Sequence, residues 1–376
     1  MRKKRYRKDN KTKYLIALTL LTVIITYFAY PHFYSKFVSV KLIPGDYFDI
    51  SYQDGEDVYA DFDTISGKLV HLQGDTVRLI DGEGNTVWSR TVNAKNPFLS
   101  ASADTIAICD RETNKVYGLN EQGELIWEFT SAGKVERMGF DNSNLWVKST
   151  KQEQAVVEVL NGNGEGSSYL AAGKTEVTGV TVSKDGKNIA VATADIKGGR
   201  LSCNVVLYKN DGSIIWAKDL TEDMVFGLKI TDTGNIMVLS EKSLISYDIK
   251  GSILWQKPLK GYVSAKLLSS SGTSIVSLAE DYRMGIPGKI GEETFIYNDK
   301  GEILRTIAWK DRIDGISEGE GYAVLFSGRK IKLVSMLSGD IVDTDLDMDI
   351  GRLLLLTDNK LACISGNRIY FSDIKR

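Results

Sequence analysis

The chain has 376 residues, 43% hydrophobic and 26% charged, with 35 glycines and 5 prolines, which excludes a disordered, collagen-like or small disulfide-held protein. Its net charge of −2 conceals a split: residues 1–13 carry eight bases against Asp9, residues 14–30 carry no charge, and the rest holds −9. Such a surface gives no reason to expect nucleic acid as a partner.

From Tyr14 to Tyr30 the sequence YLIALTLLTVIITYFAY runs for seventeen residues without a charge, the short end of a membrane span. Pro31 and His32 extend it, so residues 14–32 read as a transmembrane signal-anchor, 1–13 as a basic cytoplasmic tail and 33–44 as a linker. Tyr27, Tyr30 and Tyr34 suit the interface, and the basic cluster keeps the N-terminus in the cytoplasm and places the bulk outside. A cleaved signal peptide and a buried core helix are the competing readings. The first lacks its small-residue cleavage motif, since Tyr27, Phe28 and Tyr30 crowd the single Ala29.

Beyond residue 45 the chain repeats itself. VRLIDGEGNTVWSRTV (77–92) is echoed at 116–131, 205–220, 244–259 and 294–309, and more weakly at 156–171 and 331–346. Each copy is an apolar strand, a polar turn ending in glycine, and a second strand. The turn glycines are Gly84, Gly123, Gly164, Gly212, Gly251, Gly301 and Gly339, placed where a reversing backbone needs φ > 0. Trp88, Trp127, Trp216 and Trp255 each lie four residues past their glycine, a register that suits packing between neighbouring sheets. Ser168, Arg305 and Asp343 hold that position in the other copies, so those interfaces are expected to pack differently.

The glycine intervals average 42.5 residues, the period of a four-stranded propeller blade and not of a helical repeat. A multi-sheet sandwich is the other architecture compatible with the pattern. At the C-terminus LLLL (353–356), KLACIS (360–365) and RIYFSD (368–373) make three strands without a fourth. Upstream of the first copy, 47–55, 58–63 and 68–73 supply more strand than one blade requires. A strand near 47–52 lent to the C-terminal sheet closes the ring and hides its edges. The expectation is therefore an all-β fold: a β-propeller over 45–376 with eight four-stranded antiparallel blades, seven being the alternative count, preceded by one transmembrane helix.

The repeated unit, best seen in VYGLNEQGELIWEF (116–129) and VVLYKNDGSIIWAKD (205–219), resembles the quinoprotein-like, or PQQ-like, β-propeller repeat. With its basic N-terminus, single span and divergent repeats the chain also resembles DUF5711-like membrane-anchored proteins of Gram-positive bacteria, an uncharacterised group of that superfamily. The superfamily holds quinone-dependent alcohol dehydrogenases and noncatalytic scaffolds such as the outer-membrane assembly lipoprotein, so the resemblance implies a fold and not a reaction.

Little in the sequence points to chemistry. The quinone enzymes carry adjacent cysteines and a calcium site, whereas Cys109, Cys203 and Cys363 are far apart and each flanked by apolar residues, so no cofactor is expected. His32 and His71 are the only histidines, too few for a histidine triad or multi-histidine metal site, and His71 reads as a structural or exposed side chain. Asp343, Asp345, Asp347 and Asp349 alternate along 340–351 as if on one strand face, weak candidates for a divalent cation. The stretch lacks the glycine and glutamate of a calcium loop, and a solvated face is the plainer reading. The glycines of NGNGEG (161–166) read as a hairpin turn and not a phosphate loop. The two long repeats place extra residues at 193–202 and 281–293, where Arg283, Met284, Ile286 and Pro287 form a candidate binding loop.

The functional expectation is a non-catalytic interaction or ligand-binding module of the cell envelope, with the membrane and a protein or envelope component as partners. An enzyme with a metal or paired-carboxylate site in the propeller funnel is one alternative, and a purely structural spacer is another.

Overall fold

The computed structural model describes residues 41–49, 60–220, 222–259, 262–270, 273–280, 292–309, 313–319, 321–336, 339–357 and 360–375. The span read at 14–32 and the loop residues Arg283, Met284, Ile286 and Pro287 lie outside the described residues. Among the described residues no helix is long and apolar enough to cross a membrane.

Eight four-stranded antiparallel sheets follow one another along the chain. The eight-bladed ring is therefore the architecture, and neither the seven-bladed ring nor the sandwich is. Blades 1 to 7 are consecutive meanders that begin at Ala60, Pro97, Lys134, Glu176, Val225, Tyr262 and Gly315. Blade 8 takes three strands from the C-terminus, Arg352–Thr357, Lys360–Ser365 and Arg368–Lys375, and its outermost strand from Lys41–Asp49. That strand pairs from Lys41 opposite Lys375 to Asp49 opposite Arg368, with a bulge between Pro44 and Tyr47. Pairing thus begins inside the stretch read as linker, and within the described residues it runs to Asp49. The proline stands on the outermost strand beside an irregularity, where a missing N–H costs least.

Between blades lie separate aliphatic cores. One joins blades 1 and 2 through Ile65, Leu72, Leu79, Leu99 and Ile108, and another joins blades 7 and 8 through Leu333, Leu353, Leu355 and Leu361. The second strands of the blades lie inside their sheets and can be buried on both faces, as Ile106–Asp110 and Ile236–Ser240 are. Their near-continuous apolar runs follow from that double burial. The three cysteines are free and buried in these layers. Burial pushes the thiols of Cys109 and Cys363 up to about 12 and raises that of Cys203. The native protein is therefore expected to resist a maleimide at pH 8, where an ordinary thiol reacts. All three should label only in denaturant, and mass spectrometry of native against unfolded samples reads this directly.

The seven glycine turns join the third and fourth strands of blades 1 to 7. Each turn glycine has positive φ, from 70° at Gly339 to 88° at Gly84. In blade 1 the Gly84 N–H donates to the Asp81 carbonyl at 3.1 Å, and the Asn85 N–H donates to Asp81 Oδ1 at 2.8 Å. Asn120, Asn161, Asp248 and Asn298 open equivalent turns and accept in the same way. The NGNGEG segment is one of these hairpin turns.

The tryptophan of one blade lies on the turn glycine of the next. A Cβ on Gly123 would stand 2.9 Å from the Trp88 ring, one on Gly164 2.3 Å from Trp127, one on Gly251 2.9 Å from Trp216 and one on Gly301 2.6 Å from Trp255. Trp88 and Trp255 also donate to backbone carbonyls of the neighbouring turn, at Glu121 (2.8 Å) and Asp299 (2.9 Å). The remaining junctions differ. Ser168 donates to the Asn210 carbonyl, and Arg305 packs on Gly339 and pairs with Asp340.

Candidate functional site: the mouth of the central channel

The first strand of every blade lines the axis, and polar side chains there stitch several blades to the next. Asp61 Oδ2 accepts the Leu99 N–H at 3.2 Å and Asp63 Oδ2 the Ala101 N–H at 2.7 Å, a constant offset that shows the two inner strands running in the same direction. Asp141 accepts from Val182 N–H at 2.9 Å, Thr181 from Ile230 N–H at 3.1 Å and Ser317 from Leu355 N–H at 3.1 Å. Arg352 closes the ring on Asp61 at 3.1 Å. These bonds occupy backbone N–H groups that the inner edge of a sheet would otherwise leave without a sheet partner.

The turns joining first to second strands gather around one end of the channel, at a cavity of about 930 Å³. Its wall mixes small residues such as Ser66, Gly67 and Ala103 with apolar ones such as Phe140, Ile230 and Leu355, and Asp63, Lys229, Asp232 and Glu318 are its charged members. Lys229 Nζ lies 2.6 Å from Asp141 Oδ1. Burial works against the ammonium, but the Asp141 carboxylate outweighs it and raises the lysine above its ordinary value. Asp63 is raised by burial despite its bonds to the Ala101 and Thr64 N–H groups. Glu318 is reached by solvent from the mouth yet walled by protein. Desolvation therefore raises it, with Lys229 opposing and Asp141 and Asp232 adding to the rise. Asp141→Ala is expected to cost about 2 kcal/mol, because it strands a lysine inside the channel and the Val182 N–H; a urea melt against wild type checks this.

Toward the opposite end Gly179 and Gly227 lie against Leu228 and Leu267 of the following blades, with Cβ positions 3.2 and 2.8 Å away, beside a smaller cavity of about 200 Å³. Lys148 sits there, its side chain 5% exposed, between Glu136 at 3.0 Å and Glu176.

The candidates taken from the sequence lie elsewhere. The fourth strand of blade 7, Ile341–Asp345, ends before Asp347 and Asp349, so the four aspartates do not share one strand face. The chain turns away where Leu346 is buried and its N–H reaches the Arg329 carbonyl at 2.8 Å. Asp343 instead pairs with Lys332 at 2.7 Å and Asp349 with Arg329 at 2.8 Å. Among the described residues no group of three or more histidine, cysteine, aspartate or glutamate side chains is placed to hold a metal ion. The channel residues were missed because they come from six blades. Their only local trace is an acidic residue near the end of a first strand, as in ADFD (60–63), GFD (139–141) and GISE (315–318).

The model of DUF5711, described as a family of unknown function, matches residues 48–372. None of the curated proteins matches the chain. Among solved structures, BamB from Moraxella catarrhalis is 14% identical, with a TM-score of 0.56 over 89% of this chain and 100% of that one. Sqt1 from Saccharomyces cerevisiae is 11% identical, with a TM-score of 0.60 over 90% of this chain and 100% of that one. At such identities these likenesses show the propeller fold alone.

Proposed function

The chain belongs to DUF5711, a family of unknown function, and from that premise and the channel geometry we propose a non-catalytic binding module. In this reading the propeller is anchored by residues 14–32, stands outside the cytoplasm and takes a partner at the channel mouth. The observation that carries it is how the channel carboxylates are used. Asp61, Asp63 and Asp141 accept blade-to-blade bonds, so they work as staples and are poorly placed to act as acid or base. What they frame is an open basin of about 930 Å³ with a mixed polar and apolar wall, the concave form that binding sites take. Its negative charge favours cationic groups and disfavours nucleic acid.

Two measurements test this reading. Ile196, 74% exposed at the tip of the long hairpin of blade 4, should react with a membrane-impermeant maleimide in intact cells as Ile196→Cys; labelling only after permeabilisation would place the propeller on the other side. Ala103→Trp, on an exposed turn at the basin rim, should leave the melting temperature unchanged yet fail to restore the growth or envelope defect of a strain lacking the protein. Full rescue by the blocked mouth would sink the binding-module reading.

A further inference from the structure

Resting on that reading, we propose that the mouth face is turned toward the membrane, where it docks a segment of a membrane-embedded protein that carries both basic and apolar side chains. Three independent observations converge on this face.

The first is the tether. In blades 1 to 7 the first strand ends, and the third and fourth strands are joined, on the mouth side; in blade 8 the first strand likewise ends there, and the outermost strand runs antiparallel to Arg368–Lys375. Lys41, paired with Lys375, therefore enters the propeller at the mouth-side rim. Only residues 33–40 separate it from the apolar run, a reach of about 28 Å when fully extended. A nine-residue strand is itself about 30 Å long. In the inverted orientation the tether would be used up in passing the height of the blade.

The second is a collar of exposed aliphatic side chains. Of the eleven large hydrophobic residues most exposed among the described residues, eight lie in a glycine turn or within three residues after its glycine. Leu125, Ile126, Ile214, Ile253, Leu254 and Ile303 are between 46% and 61% exposed. Scattered surface leucines need no explanation, but a set confined to one rim and flanked by polar turns marks an interaction surface.

The third is charge. The seven glycine turns between the third and fourth strands carry ten acidic residues against Lys250 and Lys300, and among the described residues only Glu83, Glu121 and Asp340 of the ten pair with bases from outside the turns, Lys360, Lys68 and Arg305. Asp63, Asp232 and Glu318 line the basin inside that ring, with Lys229 beside them. Such a face repels a second copy of itself and an anionic lipid surface, and it attracts a segment whose lysines or arginines reach the basin while its apolar side chains cover the collar.

The experiment uses the full chain in phosphatidylcholine nanodiscs, with one dye at Lys300→Cys on a mouth-side turn or at Ile196→Cys on the far side. The native cysteines are buried and leave these positions as the sole labels. Energy transfer to a headgroup acceptor should be about twofold or more higher from position 300, since opposite faces differ by about one strand length. A nine-residue alternating Lys–Leu peptide, corrected for binding to empty discs, should bind more tightly than its Glu–Leu counterpart. Ile253→Ser with Leu254→Ser, and separately Glu318→Gln, should each weaken that binding about tenfold, while Ile196→Ser should not.

The proposal is overturned by greater transfer from position 196, by equal binding of the two peptides, or by indifference to the collar and Glu318 substitutions. Phosphatidylglycerol discs that draw position 300 closer would also overturn it, because lipid would then be the occupant. Failure of the peptide preference, with Ala103→Trp still blocking rescue, would reject the partner chemistry and leave the binding reading standing.

Discussion

Replacing Gly164 by alanine is expected to cost about 3 kcal/mol, one part from the backbone and the larger part from overpacking. Gly164 sits at φ 76°, and its new Cβ would stand 2.3 Å from Trp127 Cγ, far inside van der Waals contact. The ring cannot retreat. It already lies across Gly118 of its own blade, where an added Cβ would be 2.1 Å away. Trp127 is thus held between two glycines, one in its own sheet and one in the next. The two components separate in a double-mutant cycle. In a Trp127→Ala background, Gly164→Ala should retain only the backbone cost of about 1 kcal/mol. Gly118 does not have a positive φ, so Gly118→Ala should report overpacking alone. Urea midpoints of the four proteins decide the matter. Equal cost of Gly164→Ala with and without the tryptophan would show that the ring does not lock the blades.

That lock was legible in the sequence because both of its halves are local. A reversing backbone demands glycine at one turn position, and a tryptophan four residues later lies at a fixed place on the following strand. Repeating this unit at a blade-length interval placed the hairpins, and the surplus strands at the two chain ends placed the closure. Gly118 could have been noticed as a glycine inside a strand pattern, which marks close approach by another group. The partner of each tryptophan is another matter, because it belongs to the next copy and emerges only when the sheets are set in a ring.

The channel was not legible for the same reason on a larger scale. Asp61 and Arg352 are 291 residues apart in sequence, and Asp141 and Lys229 are 88 apart. Apart from their place near the end of a first strand, nothing local distinguishes these carboxylates from those on a solvated face. The aspartate run of 343–349 shows the converse. Its alternation suggests one strand face, but the burial of Leu346 and Ile350 pulls the chain out of the sheet halfway along. Burial of two apolar side chains outweighs continuation of one edge strand, which offers few bonds in return.

A pH effect readable between pH 4 and 8 should come from His71, and its sign is set by which state takes the proton. The imidazole is fully buried in the second strand of blade 1 and stacks on Phe62 with ring centres 4.9 Å apart. Burial, reinforced by Arg78 opposite it on the next strand, lowers its pKa to about 4. In the unfolded chain the ring takes a proton near its ordinary value of 6.5. Between these values the unfolded state binds the proton and the folded state does not. The stabilisation is therefore complete above pH 6.5 and is lost as the pH falls toward 4, by about 3 kcal/mol in all. Asp63 and Glu318 act in the opposite sense, because burial raises both and the folded state then takes their protons first. Their contribution is common to wild type and to His71→Phe, which keeps an aromatic ring on Phe62. The difference between the two proteins isolates the histidine. Urea unfolding at half-unit steps from pH 4 to 8 should show the wild type losing stability relative to His71→Phe as the pH drops, whatever the offset between them at pH 8. A constant offset across the range would mean that the ring is solvated or protonated in the folded protein.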